Sequence, residues 1–368
     1  MNFVNKVLIF IILLSLTLNE FYSESYGRIF DYLAISLIIL NFTIFHNKYN
    51  FKISYISLFL FFSFFIVLGF FYQQFLASLA VFSGSFLIVI FARTLFVSNK
   101  IFFIKSIRLI LIIHLIFYVI QIFLFYIINI NFSIIDYFPS LQPSRVFNEG
   151  LGILRPGGLM MEPNSYCANI FMLVFVLFKL EEKISTIAKI ALLSVLFTTS
   201  IWGIIIFITI LLLFSNYKYK IFLILLLVTV AIYIVNKIDD SVAIERLFRI
   251  IEDPYSDNSV VTRLGLESTK QNNIINWIFG NGINSKDFQS FMGGNGFSYM
   301  LYCFGILGTF LLLLWYYISN GSKLFLLFLL FNFTFPYFSY LIFYLFLAFS
   351  LKDINYISYD SKNLRYYG

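Results

Sequence analysis

Residues 109–128 read LILIIHLIFYVIQIFLFYII, twenty positions without a single Asp, Glu, Lys or Arg. A helix needs about 20 apolar residues to cross the roughly 30 Å hydrocarbon core of a bilayer. This stretch is therefore long enough and apolar enough to span a membrane. It predicts a transmembrane helix.

The composition extends this prediction to the whole chain. Of its 368 residues, 61% are hydrophobic and 12% are charged, whereas an ordinary globular domain has about 25% charged residues. A soluble fold of this length would leave too much Phe, Leu and Ile exposed to water, and lipid can cover these side chains. The sequence predicts an all-α integral membrane protein that forms one polytopic domain over residues 1–368.

Apolar runs of similar length recur along the chain and predict about 12 transmembrane helices. Two breaks decide that number: residues 198–200, which would split one long run into a tight helical hairpin, and Pro336. If either break is absent, the number falls to ten or eleven. The predicted spans are 7–18, 29–45, 53–72, 75–96, 109–128, 165–180, 184–199, 201–214, 221–235, 295–318, 324–335 and 337–351.

The positions of Lys and Arg predict the orientation of these helices. The short segments 46–52 and 98–108 contain basic residues and no acidic ones. Cytoplasmic loops of membrane proteins are enriched in Lys and Arg, so we expect these loops and both termini to be cytoplasmic. The formal net charge of +7 then reflects topology, and nucleic acid is not an expected partner.

Metal and disulfide chemistry have little support in the sequence. The two histidines, His46 and His114, are far apart, and the two cysteines, Cys167 and Cys303, both fall within predicted spans. Neither pair has the spacing of a metal site or of a disulfide framework. The sequence therefore predicts no metal and no cofactor.

Two long connections, residues 129–164 and 236–294, are both predicted to face outward. Connections of this length are usually functional or disordered. In the second, apolar periodicity predicts short amphipathic helices over 241–252 and 259–279, the latter ending at Gly280. Their polar faces carry three arginines, for which a solvated surface position is an open alternative: Arg246, Arg249 and Arg263.

The first long connection ends in the motif LRPGGLMMEPN at residues 154–164, which runs directly into a predicted span. Pro163 suits the first turn of a helix. The free N–H groups of that turn form an anion site at the outer membrane surface, suited to a diphosphate. Gly157–Gly158 would let the backbone approach a ligand closely. The alternative is a structural turn in which Arg155 pairs with Glu162.

Four features follow one another over roughly residues 145–335: Arg155-x-Gly-Gly with Glu162-Pro163-Asn164; Thr199-Ser200-Ile201-Trp202-Gly203; Arg263 with Gly280-x-Gly282; and Asn295 followed by Gly305-Ile306-Leu307-Gly308-Thr309. In order and spacing they resemble the motifs of the bacterial O-antigen polymerases and O-antigen ligases. The ligases carry a histidine where this chain has Gly294. The resemblance therefore favours the polymerases.

The resemblance implies a metal-independent membrane glycosyltransferase with a GT-C-like architecture. Its donor and acceptor would be oligosaccharides carried on undecaprenyl diphosphate, at the periplasmic face of the bacterial inner membrane, and a chain-length regulator protein is a further partner to consider. One alternative is an O-antigen ligase that transfers glycan to the lipid A core. Another is a flippase or transporter, which the scarcity of charge within the spans disfavours.

Arginine side chains can stabilise a departing diphosphate, and Glu162 is the candidate base for the acceptor hydroxyl. Two roles stay open at this stage: Glu162 could instead hold Arg155, and Asn295 could simply cap its helix. The predicted catalytic residues are Arg155, Glu162 and Arg263. The predicted substrate-binding residues are Arg145, Asn164, Arg246, Arg249 and Asn295.

Overall fold

The computed structural model describes a large part of the chain. The described residues are 3–18, 21–23, 27–45, 75–137, 147–148, 153–198, 203, 205, 207–209, 274–281, 296–334 and 341–350. The predicted spans 53–72 and 221–235 lie outside them, as does most of 201–214.

Helices make up most of the described residues. In chain order they are α1 Phe3–Thr17, α2 Ile29–Phe45, α3 Phe75–Tyr126, α4 Pro163–Glu181, α5 Thr186–Leu196, α6 Ile274–Phe279, α7 Gly296–Asn320, α8 Ser322–Thr334 and α9 Leu341–Ser350. Two antiparallel pairs of two-residue strands accompany them: β1 Tyr22–Ser23 with β2 Gly27–Arg28, and β3 Phe147–Asn148 with β4 Ile153–Leu154. A short 3-10 helix covers Ile134–Tyr137.

Three of the described helical segments are long and apolar enough to cross a membrane: Ser98–Tyr126, Pro163–Glu181 and Gly296–Asn320. Large apolar side chains face outward from the first of them, such as Val119 at 58% and Phe123 at 51% exposure. Lipid can cover such side chains, and water cannot do so favourably. The helical architecture agrees with an α-helical membrane protein, and the remaining predicted spans stay predictions.

The helix boundaries follow the sequence patterns at several places. Helix α2 has the predicted bounds, and α4 begins at Pro163 as the proline predicts. Helix α5 ends at Leu196, just before the break predicted at residues 198–200, of which 199 and 200 lie outside the described residues. Gly203 then packs against Cys167 of α4 and Val195 of α5, which supports a tight return of the chain.

The predicted loop 98–108 is helical instead. The bounds of α3 contain two helices that meet at a kink at Asn99 (φ −149°, ψ 45°), and residues 100–108 belong to the second of them. The Lys and Arg residues of this stretch are spaced among Ile and Phe, so the same sequence can form an amphipathic helical turn. The segment Ser98–Tyr126 has 29 residues and, at about 1.5 Å per residue, is longer than a bilayer core is thick. Its basic first turns can therefore extend beyond the lipid.

Helix α4 forms the centre of the packing. In the 18-residue apolar stretch of α4, 89% of the residues are buried. The corresponding value for the segment Ser98–Tyr126 is 28%. It contacts α3, α5 and α9, and every residue of α9 is buried as well. Because α4 is enclosed on all sides, any polar residue in its first turns must find partners inside the protein.

Candidate functional site

The start of α4 carries the motif that the sequence singled out. Glu162 is the N-cap residue, with an extended backbone (φ −128°, ψ 145°), and Pro163 occupies the first turn. The carbonyl of Glu162 accepts the hydrogen bond from the Tyr166 N–H at 3.1 Å. Proline fits here because its missing N–H would have no partner within the helix.

This helix start is buried within the protein, and its position at the outer membrane surface stays a prediction. Glu162 is 5% exposed and Asn164 is 6% exposed. The residues before α4 fold back onto it, since Asn169 donates a hydrogen bond to the sulfur of Met160 at 3.2 Å. Arg155, at the start of the same loop, is half-buried. A charge in such a setting is less screened than it would be in water.

The glycine pair of the loop is bound to α3 by Gln121. Its Oε1 accepts hydrogen bonds from the N–H groups of Gly157 at 3.0 Å and Gly158 at 2.8 Å. Its Nε2 donates to the carbonyl of Gly158 at 3.0 Å. We call this arrangement the Gln121 clamp. The sequence had assigned the glycines to close approach of a ligand, and the structure shows them in close approach to α3.

Gly158 is required by its surroundings as well as by its conformation. Its φ is +61°, a region that side chains rarely adopt. A Cβ added there would lie 3.1 Å from the ring of Tyr166 and 3.2 Å from the carbonyl oxygen of His114. The loop therefore has room for glycine alone without local rearrangement.

A row of polar side chains continues from the clamp into the protein. His114, Tyr118 and Gln121 are spaced by four and three residues, which places them on one face of α3. The Tyr118 ring stacks on Tyr166 of α4 at 5.2 Å, and the Tyr166 hydroxyl lies 2.7 Å from the Ser194 hydroxyl of α5. We call these five residues the polar seam.

The seam contains buried groups with no hydrogen-bond partner among the described residues. These are both ring nitrogens of His114 and the hydroxyl of Tyr118. His114 is fully buried, and its ring centroid lies 6.5 Å from that of Tyr166. Leaving such groups without partners in an apolar interior is unfavourable. The seam is therefore a polar feature that packing alone does not explain.

The backbone at Gly305 lies against the backbone at Gly280, and both glycines belong to the resembling motifs. Helix α7 breaks at Gly305 (φ 64°, ψ −175°), and a Cβ there would collide with the carbonyl of Ile278. Near the break, the N–H of Asn281 donates to the carbonyl of Tyr302 at 2.8 Å. The prediction that Gly280 ends a helix is confirmed, because α6 stops at Phe279 and Gly280 has a φ of +80°.

The structure places only part of the predicted site. Arg155, Glu162 and Asn164 all lie in the loop and first turn of α4. The other predicted site residues lie outside the described residues, so their convergence on Arg155 stays a prediction: Arg145, Arg246, Arg249, Arg263 and Asn295. Within the described ranges, no group of three or more His, Cys, Asp or Glu side chains could hold a metal ion.

Sequence reasoning missed Gln121, and Tyr166 with it. Gln121 lies in an otherwise apolar run, seven residues after His114. That spacing of polar residues on one helix face was the available signal. It indicates a polar contact between helices without identifying the partner.

The chain matches no protein-family model, no curated protein and no solved structure.

Proposed function

We propose that this chain is a membrane glycosyltransferase of the O-antigen polymerase type. It joins oligosaccharide units carried on undecaprenyl diphosphate at the periplasmic face of the bacterial inner membrane. The observation that carries the proposal is the buried start of α4, where Glu162 follows the glycine turn that Arg155 precedes. The order of the resembling motifs along the chain supports it.

The reaction needs two kinds of group that this loop contains. The acceptor sugar hydroxyl attacks the anomeric carbon of the donor, and the bond from that carbon to the diphosphate oxygen breaks. Arg155 stabilises the negative charge on the departing diphosphate through its planar fork of donors. Glu162 accepts the proton of the attacking hydroxyl. No metal takes part in this scheme, since the arginine supplies the positive charge.

The remaining parts of the proposed site come from the sequence alone. Arg263 is assigned to the same diphosphate as Arg155. Arg145, Arg246, Arg249, Asn164 and Asn295 are assigned to binding the lipid-linked donor and acceptor. Membrane lipids surround the helices, and a chain-length regulator protein is a proposed partner.

The proposed orientation has both termini in the cytoplasm. One contact supports the relative placement of the loops: Arg108 and Glu181, near basic segments assigned to the cytoplasm, form an ion pair at 2.8 Å. Gly158, in the loop assigned to the opposite side, meets Gln121 of the predicted span 109–128 towards the other end of the same helix pair. Residues that the charge pattern assigns to one side thus lie together.

A transporter or flippase is the second candidate. The break in α7 at Gly305 and the buried His114 of α3 favour it, because transporters use broken helices and ionisable groups within spans. However, the Tyr302 carbonyl near the break accepts hydrogen bonds from both the backbone and the side chain of Asn281. Because Asn281 already donates to this carbonyl, a structural break is favoured over an ion-binding site. An O-antigen ligase is less favoured because Gly294 replaces the family's histidine.

Deletion of the gene, followed by gel analysis of the surface glycan, tests the proposal. A polymerase deletion should abolish the ladder of chain lengths and leave a single unit attached to its carrier. Restoring the wild-type gene should restore the ladder. Complete loss of surface-attached units, including the single unit, would instead indicate a ligase or a flippase.

A further inference from the structure

Gln121 connects a membrane helix to the loop that carries Arg155 and Glu162. One side chain satisfies two backbone N–H groups and one carbonyl at distances of 2.8 to 3.0 Å. Gln121 is 1% exposed, so bulk water does not replace these bonds when they are lost. The clamp is therefore a specific and buried attachment of the loop.

We propose that Gln121 is a positioning residue, which fixes the glycine turn and so sets where Arg155 and Glu162 meet the lipid diphosphate and the acceptor. The inference rests on the proposed function, in which those two side chains act on the substrates. Gln121 acts through the backbone of Gly157–Gly158, which lies between them in the chain.

The sequence of the turn explains why such a residue is needed. Two adjacent glycines have more accessible backbone conformations than any other pair, so the turn alone does not hold one geometry. The positive φ of Gly158 and its tight contact with Tyr166 require glycine at this point. The Gln121 clamp, which comes from outside the loop, holds the backbone of the two glycines in one conformation. A displacement of about 1 Å at a reacting group can reduce a rate by about a hundredfold.

Amide hydrogen exchange tests the clamp without reference to activity. Gln121→Met removes all three hydrogen bonds and keeps a side chain of similar length. In the full-length protein in lipid nanodiscs, exchange of the Gly157 and Gly158 amides should accelerate on the order of tenfold or more. Ser106→Ala is the control, because Ser106 is a buried residue of α3 whose hydroxyl has no hydrogen-bond partner among the described residues. Unchanged exchange in Gln121→Met would overturn the inference.

Polymer formation at matched protein levels tests positioning against a merely structural role. Gln121→Met should reduce the polymer about tenfold or more, and Gln121→Glu, which keeps an oxygen to accept both N–H groups, should retain more of it. If Gln121 acts through Arg155 and Glu162, adding Gln121→Met to a variant that carries both Arg155→Ala and Glu162→Gln should cause no further loss. A further multiplying loss on adding Gln121→Met would overturn the positioning role.

The two proposals fail in different ways. A normal ladder in well-expressed Arg155→Ala would remove Arg155 from the reaction, and with it both its proposed role and the positioning inference. A defective Arg155→Ala together with a normal Gln121→Met would overturn the positioning inference alone.

Discussion

The helix pair α3–α4 is held by different chemistry at its two ends. At one end Arg108, whose side chain is 39% exposed, donates to Glu181 at 2.8 Å. At the other end Gln121 makes three buried hydrogen bonds to the glycine turn. Arg108 is partly solvated while the Glu181 side chain is 4% exposed, so the pair is only partly screened by water; fully exposed pairs contribute about 1 kcal/mol or less. A buried polar group left without a partner costs about 1–3 kcal/mol. From this comparison we expect the end bearing Arg155 and Glu162 to be the more sensitive to change.

The largest effect is expected at Arg155 itself. Arg155→Lys keeps the positive charge but loses the planar fork that matches phosphate oxygens. We expect it to fail nearly as badly as Arg155→Ala, with a loss of about 3 kcal/mol in transition-state stabilisation, or roughly a hundredfold in rate. The measurement is glycan chain length on a gel, with the amount of protein in the membrane matched.

Arg28→Ala is the control for the loss of one positive charge elsewhere on the same predicted side of the membrane. Arg28 lies in β2, outside the resembling region, and the charge pattern predicts the same side of the membrane. Its replacement should leave the glycan ladder unchanged. A normal ladder from Arg155→Ala would leave Arg155 as a structural residue of the loop. The difference between the two ends of the helix pair would then concern stability and not the reaction.

An intermediate effect is expected at the glycine turn. Gly158→Ala must adopt a φ of +61° and bring a Cβ to within 3.1 Å of the Tyr166 ring. We expect a destabilisation of about 1–3 kcal/mol from the backbone conformation and the crowding together. A lower thermal unfolding temperature in detergent, with partial loss of polymer, would show it.

Gly84→Ala is the matched control on α3. A Cβ at Gly84 would meet the end of the flexible Ile35 side chain, which can move, and alanine favours a helix over glycine. We expect a change within about 1 kcal/mol. If Gly158→Ala proves equally mild, the turn is not held as tightly as the structure indicates.

The sequence predicted local structure better than contacts between helices. Pro163 identified the start of α4 because proline lacks an N–H and fits one place in a helix. Gly280 identified the end of α6 because few other residues adopt a positive φ. These signals are local, so they need no knowledge of the rest of the fold. The predicted junction between the spans 75–96 and 109–128 contains the kink at Asn99. Residues 100–108 are helical, because basic residues among apolar ones fit both a cytoplasmic loop and an amphipathic helical turn.

The candidate site was predicted only in part, for a physical reason. Glu162 and Arg155 belong to one contiguous motif, so their place in the same loop follows from the chain itself. The clamp joins residues 36 and 37 positions apart, and its geometry depends on how α3 packs against α4. Hydrophobic periodicity states which face of a helix is apolar and does not state which neighbour meets it. The burial of the helix start was missed for the same reason.

The smallest effect is expected at the ion-paired end of the helix pair. Arg108→Gln removes the charge but keeps an amide that can donate to Glu181, whose side chain is 4% exposed. Because the glutamine amide still offers a donor to the buried Glu181 carboxylate, and because Arg108 itself is partly solvated, the loss of stability should be about 1 kcal/mol. Added salt should weaken the wild-type pair and so reduce the difference between the two proteins. Thermal unfolding at low and high salt, with Gln121→Met measured alongside, checks both points. A greater loss of stability in Arg108→Gln than in Gln121→Met would reverse the comparison and make the ion pair, not the clamp, the critical attachment between α3 and α4.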